Sequence, residues 1–278
     1  MLMIITNFKT MKKIKILSIN FLILMLCIGT SNLIAQEQLN DEDILKLYDD
    51  LRVADVTDGL DMVGLRDATL MGTEIEALWK NIDDLSHIFH GIAVTARYVP
   101  TNKVVKNPME PDEFRKWEGN WYGTISTEPF VELLKQGSAL VLDVQGDGDT
   151  GSVGSNNGLM WVSKGCVGIV SNGGIRDTDE VIKQKIPVYL DHKNRGRGIR
   201  PGRNEIESVN KPVTVGGVLV YPGDVVVADG DGVVIVPREH AQKVAEYAKG
   251  ILDGDKQSRR KLYEQLGIPL DKTVEIDN

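Results

Sequence analysis

From residue 41 onward the hydrophobic positions change period repeatedly, and each change marks an element. Ile44, Leu45, Leu47, Tyr48 and Leu51 follow Asp41 at helical spacing, which predicts a helix with an acidic N-terminal cap; a second short helix is predicted over residues 56–63. Residues 91–99 (GIAVTARYV) are rich in β-branched and aromatic side chains and read as a strand, ended by Pro100. Residues 101–127 read as one long loop carrying Trp117, Trp121 and Tyr122. Structureless loops of that length are usually functional or lids; the equal alternative is that the aromatics pin the loop to the core.

Beyond Glu128 the pattern becomes regular: helix PFVELLKQ, strand ALVLDV, a glycine-rich turn, a helix over 156–164, strand VGIVS, a turn, a helix over 178–185 and strand PVYLD. Such alternation predicts a parallel or mixed α/β core. After Lys211 the apolar runs shorten to strands at 213–220, 224–228 and 233–236, parted by Gly-Gly, Pro-Gly and Asp-Gly-Asp-Gly turns, which predicts a small β-rich layer packed on the α/β part. Helices over 239–252 and 256–266 close the pattern, with charged faces able to reach a neighbouring subunit.

The first 35 residues fit neither rhythm. Lys12, Lys13 and Lys15 precede an apolar run over 16–29 and a small polar stretch, the architecture of a secretory signal peptide with cleavage near Ala35. Met11 opens a conventional signal, so the ten residues before it read as an over-extended start. The run is shorter than the roughly 20 residues a bilayer span needs. Leu26 stands before Cys27 where a lipid-attachment motif wants a small residue. The expectation is an exported protein, periplasmic or secreted, with residues 36–278 forming a single domain and no permanent membrane span.

Residues 1–35 hold four lysines and no acids, so their removal takes the net charge from −8 to −12, a balance that excludes nucleic acid as a partner. Cys166 is then the only cysteine, and no disulfide can form within the chain.

Gly146-Asp147-Gly148-Asp149-Thr150-Gly151 has the form of a dinucleotide fingerprint after a strand. The next helix starts only near Ser155, however, and two aspartates stand where phosphates would sit, so Asp147 and Asp149 read as a solvated turn. An EF-hand is excluded because its twelfth position is Gly158 rather than Glu. Gly154-Ser155-Asn156-Asn157-Gly158 is more informative, since it puts backbone N–H groups at the start of a helix, a ready site for carboxylate or phosphate. The following strand ends in NGGIRDTDE, where Gly173 and Gly174 let the backbone turn sharply at a strand's carboxyl end. Open α/β sheets bind ligands there, and Arg176 and Asp177 project into the same crevice. Taken alone, an Arg beside an Asp on a turn is more often a surface ion pair. His87, His90, His192 and His240 show no zinc spacing, and Lys164, Lys183 and Lys185 lie on solvated helix faces, which argues against a Schiff-base lysine.

The segment GSNNGLMWVSKGCVGIVSNGGIRDTDE resembles the signature of the RraA-like family: a glycine-led helix, a strand, then Arg-Asp with an acid three positions later. VADVTDGLD, HGIAVTAR and GVLVYPGDVVVADGDGVVIVPREHA resemble its other motifs in the family's order, so the likeness runs from about Leu51 to the C-terminus. The family includes 4-hydroxy-4-methyl-2-oxoglutarate/4-carboxy-4-hydroxy-2-oxoadipate aldolases, oxaloacetate decarboxylases and RraA inhibitors of a ribonuclease. The resemblance implies a compact α/β domain with stacked β layers flanked by helices, of the swivelling ββα type, assembled as a homotrimer or homohexamer.

It also implies an activity and a site. Asp177 would hold a divalent metal, Mg²⁺ or Mn²⁺, mainly through water, with Glu180 orienting that water. Arg176 would contact the 2-oxo oxygen of the substrate, and Gly154, Ser155, Asn156 and Asn157 would grip its carboxylate. The implied reaction cleaves a 4-hydroxy-2-oxo acid to pyruvate, or decarboxylates a 2-oxo diacid; the alternative is a non-catalytic binding or regulatory protein. Ser155 departs from the family pattern, which places an acid there, and Asp253 or Asp255 would complete a neighbouring subunit's site.

Overall fold

The computed structural model describes residues 39–106, 108–144, 149–191 and 196–276. The leader at 1–35, the Gly146–Gly148 part of the glycine-rich turn with Asp147, and His192 lie outside the described residues. The unit that carries the elements below begins at Asn40.

Two helices open it: α1 (Asp41–Leu47), capped by the Asn40 side chain on the Asp43 N–H (3.0 Å), and α2 (Val53–Met62). The cap is therefore Asn40 rather than Asp41, and α2 begins three residues earlier than its hydrophobic spacing predicted. Strands β1 (Ile75–Ala77), β2 (Phe89–Pro100), β3 (Ser138–Asp143), β5 (Cys166–Ser171), β7 (Val188–Asp191), β8 (Asn204–Val209), β11 (Val225–Asp229) and β12 (Gly232–Val236) form one mixed sheet in the order β1-β7-β5-β3-β2-β11-β12, with β8 also paired to β2. The β2–β3, β3–β5 and β5–β7 pairs are parallel and the rest antiparallel. Residues 69–71 hydrogen-bond to β12 (Met71 N to Val233 O, 2.9 Å) just before the chain enters β1 at the opposite edge, so the sheet nearly closes.

Period-two alternation along the strands separates two cores. Leu140, Leu142 and Ile169 face α4 (Ser155–Ser163) and α5 (Thr178–Lys183), with Trp161, Val181 and Ile186 among their neighbours. Ala139, Val141 and Val170 face the other way, onto the hairpin of β9 (Val213–Val215) and β10 (Val218–Val220). Stacked β layers flanked by helices are thus the observed architecture. The closing β segment is divided, however: β11 and β12 belong to the main sheet, and only β9–β10 forms the separate layer that the short strands predicted.

Three further expectations change. Residues 111–124, read as loop, form helix α3 (Pro111–Thr124), started by Pro111 with Asp112 and Glu113 in its first turn. Its low apolar content and two glycines hid it; only Phe114, Trp117 and Trp121 mark a stripe, and Trp121 is buried with its indole N–H on Asn204 O (3.0 Å). PFVELLKQ gives a short 3₁₀ turn over Pro129–Leu133, not an α-helix. The C-terminal pair of helices is one, α6 (Ala241–Leu266), continuous through Gly254, with Lys249–Asp253 and Asp255–Arg259 ion pairs on either side of that weak point. Its first half packs on α2 through Val244, Ala245 and Ala248.

Candidate functional site

The candidate site sits past the carboxyl ends of β3 and β5. The chain leaves β5 at Ser171 and enters the two-residue strand β6 (Gly174–Ile175), which lies parallel to β4 (Gly151–Val153) with Gly151 opposite Gly174. The sequence suggested that Gly173 and Gly174 permit a sharp turn. Neither has positive φ, and the reason for glycine is close approach instead. A Cβ on Gly174 would lie 2.3 Å from Gly196 N and 2.4 Å from Thr150 O, so three backbone segments could not meet there. Gly151 leaves the room through which the Arg176 side chain passes, since a Cβ there would come within 2.7 Å of Arg176 Cγ and Cδ.

Arg176 is anchored by its N–H on Val153 O (2.9 Å), and its Nε donates to Asp177 Oδ1 (3.3 Å). Asp177 occupies the left-handed region (φ 56°, ψ 40°), where a residue with a Cβ is strained. It stands at the N-cap of α5 yet makes no side-chain cap there. Its Oδ2 turns across to the start of α4 and accepts from Ser155 N (3.2 Å) and Ser155 Oγ (3.3 Å). Ser155, the departure from the family pattern, is thus a hydrogen-bond partner of Asp177. Both Arg176 and Asp177 remain about a third exposed, at 38% and 35% of their side chains.

At the same helix start, the N–H groups of Asn156 and Asn157 take no partner among the described residues, while Gly158 N already reaches back to Gly154 O (2.9 Å). Two unsatisfied donors at the N-terminus of a nine-residue helix form an anion cradle. The structure therefore brings together Gly154, Ser155, Asn156, Asn157, Arg176 and Asp177. The Asn157 side chain, by contrast, points away, donating to Glu128 Oε1 (2.6 Å). Glu180 is exposed on α5, one turn beyond Asp177. Asp253 and Asp255 lie on α6 with cationic partners in their own chain: Lys249 for the first, Arg52 and Arg259 for the second.

Among the described residues, no three His, Cys, Asp or Glu side chains gather as a metal cluster, so a closed cage of the zinc kind is absent there. A lone carboxylate drawn out of its capping role fits a hard cation that keeps most of its water, as Mg²⁺ or Mn²⁺ does. The remaining candidates fall elsewhere. Asp149 forms an exposed ion pair with Arg197 (2.9 Å), Lys185 pairs with Asp84 (2.8 Å), and Lys164 and Lys183 are exposed. His87 is buried and accepts from Asn81 N (3.2 Å), His90 meets Asp49 (3.3 Å), and His240 lies beside Glu239 at the start of α6.

Sequence reasoning missed a buried polar group beside the cradle. Arg200 is 3% exposed and donates to Glu128 and to Tyr98 OH (2.9 Å). Burial alone would lower its pKa, but Tyr98, Glu128 and Tyr122 outweigh it and hold the guanidinium charged. The available signal was the arginine-dense run RGRGIRPGR at 195–203.

The sequence matches the RraA-like (Aldolase/RraA) family model over residues 53–235. The chain belongs to the RraA-like family. An uncharacterised protein of Methanocaldococcus jannaschii is 30% identical over 151 residues, covering 53% of this chain and 66% of that protein. A 4-hydroxy-4-methyl-2-oxoglutarate aldolase of Thermus thermophilus is 32% identical over 107 residues, 38% of this chain and 63% of that enzyme. The chain spans from 27% of the length of one curated relative it matches to 79% of another, and 66% and 63% of the two named here. Among solved structures, a Streptomyces coelicolor member of the ribonuclease-inhibitor RraA family superposes with TM-score 0.58 at 26% identity, over 79% of this chain and 97% of that one. No described helix of this RraA-like protein is long and apolar enough to cross a membrane.

Proposed function

We propose that this RraA-like protein is a divalent-metal-dependent lyase that cleaves a 4-hydroxy-2-oxo acid to pyruvate and a second carbonyl compound, or decarboxylates a 2-oxo diacid. The observation that carries this reading is the convergence of Arg176, Asp177 and the free amides of Asn156 and Asn157 in one crevice. A substrate carboxylate accepts hydrogen bonds from those two amides, which carry the positive end of α4. The guanidinium of Arg176 then faces the neighbouring 2-oxo oxygen. When the carbon–carbon bond breaks, the 4-hydroxyl gives its proton to water and becomes the second carbonyl (or CO₂ leaves, in decarboxylation), and the bond's electron pair moves onto the pyruvyl unit. A planar cation already in place stabilises the enolate until it takes a proton from water to give pyruvate. Asp177 would hold Mg²⁺ or Mn²⁺ largely through water, with Glu180 assisting at the outer edge, and the ion supplies further Lewis-acid stabilisation of the same charge. Ser155 Oγ keeps the Asp177 carboxylate oriented.

The test is pyruvate release from a panel of 4-hydroxy-2-oxo acids and oxaloacetate, with Mg²⁺ or Mn²⁺ and with EDTA. Metal-dependent pyruvate formation is expected. Absence of turnover across the panel would favour the binding or regulatory reading that the family's ribonuclease inhibitors represent. Two companion proposals rest on the sequence. The protein is exported after cleavage near Ala35, which N-terminal sequencing of the mature chain checks. It works as a homotrimer or homohexamer, which light scattering checks; a fully active monomer would sink a shared site.

A further inference from the structure

The amides of Asn156 and Asn157 can grip a carboxylate only if α4 is held at one height and one rotation about its axis; beside core packing and the Ser155–Asp177 bonds, one side chain ties two successive turns of the helix. Glu128 accepts the Asn157 Nδ2–H on Oε1 (2.6 Å) and the Trp161 Nε1–H on Oε2 (3.0 Å). Asn157 and Trp161 are four residues apart, so they lie on one face of α4 on successive turns. Two bonds to the same carboxylate fix the rotation of that face more tightly than one.

Glu128 is itself fixed from behind. Arg200 donates to Oε1, and its guanidinium is sandwiched near the rings of Tyr98 (5.4 Å to the centroid) and Tyr122 (5.1 Å). Tyr98 OH continues the chain to Thr127 O (2.7 Å), one residue before Glu128. Tyr122 belongs to α3, so the segment whose sequence reads as loop walls one side of this cluster. A buried arginine braced in this way keeps one rotamer, and so does the carboxylate it holds.

We propose that Glu128, braced by Arg200, is a positioning residue that aims the Asn156 and Asn157 amides at the carboxylate of a 2-oxo acid. The proposal rests on the function put forward above. Glu128 touches no substrate and acts through α4. Aim matters because amide hydrogen bonds to the bound carboxylate weaken steeply below about 120°.

Two variants test it. Glu128→Gln removes the charge under Arg200, and Trp161→Phe cuts one of the two ties while leaving the Arg200–Glu128 pair intact. Val244→Ala, in the α2–α6 packing far along the chain, serves as a control for general destabilisation. The readouts are hydrogen exchange of residues 158–163, whose amides are bonded within α4, without ligand, calorimetric affinity for pyruvate and for oxalate with Mg²⁺, and the split between KM and kcat. In both variants exchange at 158–163 should rise about tenfold, the size of one lost hydrogen bond to a charged group. Pyruvate affinity should fall and KM rise by about fivefold or more, with kcat within about twofold. Val244→Ala should do none of this at equal loss of melting temperature. If Glu128→Gln does not fold, Trp161→Phe decides alone. Unchanged exchange at 158–163 and unchanged pyruvate affinity in Trp161→Phe would overturn the proposal. A wild-type protein that binds neither pyruvate nor oxalate would overturn the function itself, and faster exchange in its variants would then mark Glu128 as a structural tie only.

Discussion

At the carboxyl ends of β3 and β5 the chain passes backbone against backbone at Gly151, Gly174 and Gly196, and what opens between is a crevice with Arg176, a strained Asp177 and two amides that take no partner among the described residues. At the amino ends of the same strands a cavity of about 2070 Å³ opens, lined among others by Asp49, Arg52, Lys80, His90, Cys166 and Lys256. The larger opening is the chemically quieter one. Its charges largely answer one another: Arg52 with Asp55 (2.5 Å) and Asp255 (3.0 Å), Lys256 with Asp50 (3.7 Å), His90 with Asp49 (3.3 Å). Volume measures where a ligand fits, whereas unsatisfied donors and a fixed cation measure where it is held and changed. The crevice rather than the cavity is therefore the better seat for chemistry, and the two ends should respond differently to substitution and to pH.

The largest effect is expected at the crevice itself. Arg176→Lys and Asp177→Ala should each lower turnover by about 10² to 10³, because an ammonium cannot reproduce the planar donor set and alanine removes the charge that would hold the ion. Circular dichroism should remain that of the folded protein, since both side chains are partly exposed. Full activity in both would move the chemistry elsewhere, the groove being the next place to look.

Second in size is the backbone crossing. Gly174→Ala forces a methyl group against two backbone segments and should destabilise by about 1–3 kcal/mol, with activity falling alongside. Gly230→Ala, at the groove, meets only Lys80 Nζ at 3.8 Å and should change stability by less than about 0.5 kcal/mol. Equal melting temperatures for the two variants would remove the asymmetry between the ends.

The groove end should show itself through pH. Burial lowers the pKa of both His87 and His90 from the ordinary 6.5, against the pull of nearby groups such as Asp49. The unfolded chain therefore takes up protons first as pH falls through that value, and the stability present above it is lost on acidification. Melting temperature should be lower at about pH 5.5 than at about pH 7.5, and His90→Gln should flatten part of the difference. Asp224 and Asp229, raised by burial, act in the opposite sense at more acidic pH, since their folded forms hold protons more tightly. A rise on going to about pH 5.5 would contradict the assignment. The smallest effect belongs to Asp149→Asn: its pair with Arg197 is exposed, so KM and melting temperature should stay within measurement error.

The parts of this molecule that could be read from sequence are those whose signal is local. Short, nearly continuous apolar runs alternating with helices marked β3, β5 and β7, and the glycine-led start of α4 and the Arg176-Asp177 turn were visible as motifs. Helix α3 was not, because its apolar stripe consists of three aromatics among polar residues and its partners, Asn204 and Gly202, come much later in the chain. Glu128 and Arg200 were missed for the same reason: the contact spans 72 residues, and the arginine-dense run around Arg200 does not say which acid it meets. The closing strands were seen as strands but misassigned to a separate layer, since pairing across β2 and β11 depends on register rather than composition. Where sequence argued that glycine serves a turn, it was the crossing of distant segments that required it.

Helix α6 has a consequence for how the molecule breathes. Its buried residues, from Ala241 to Lys256, all fall in the first sixteen positions, while Lys261–Leu266 is exposed apart from half-buried Tyr263. The helix is geometrically continuous but divides into two units of stability. Amides of the first half can exchange only when the α2–α6 packing comes apart, an event close to global unfolding. The last turns open by local fraying and exchange much sooner. One rod of secondary structure thus carries a gradient from a half locked in the fold to a half that opens by itself.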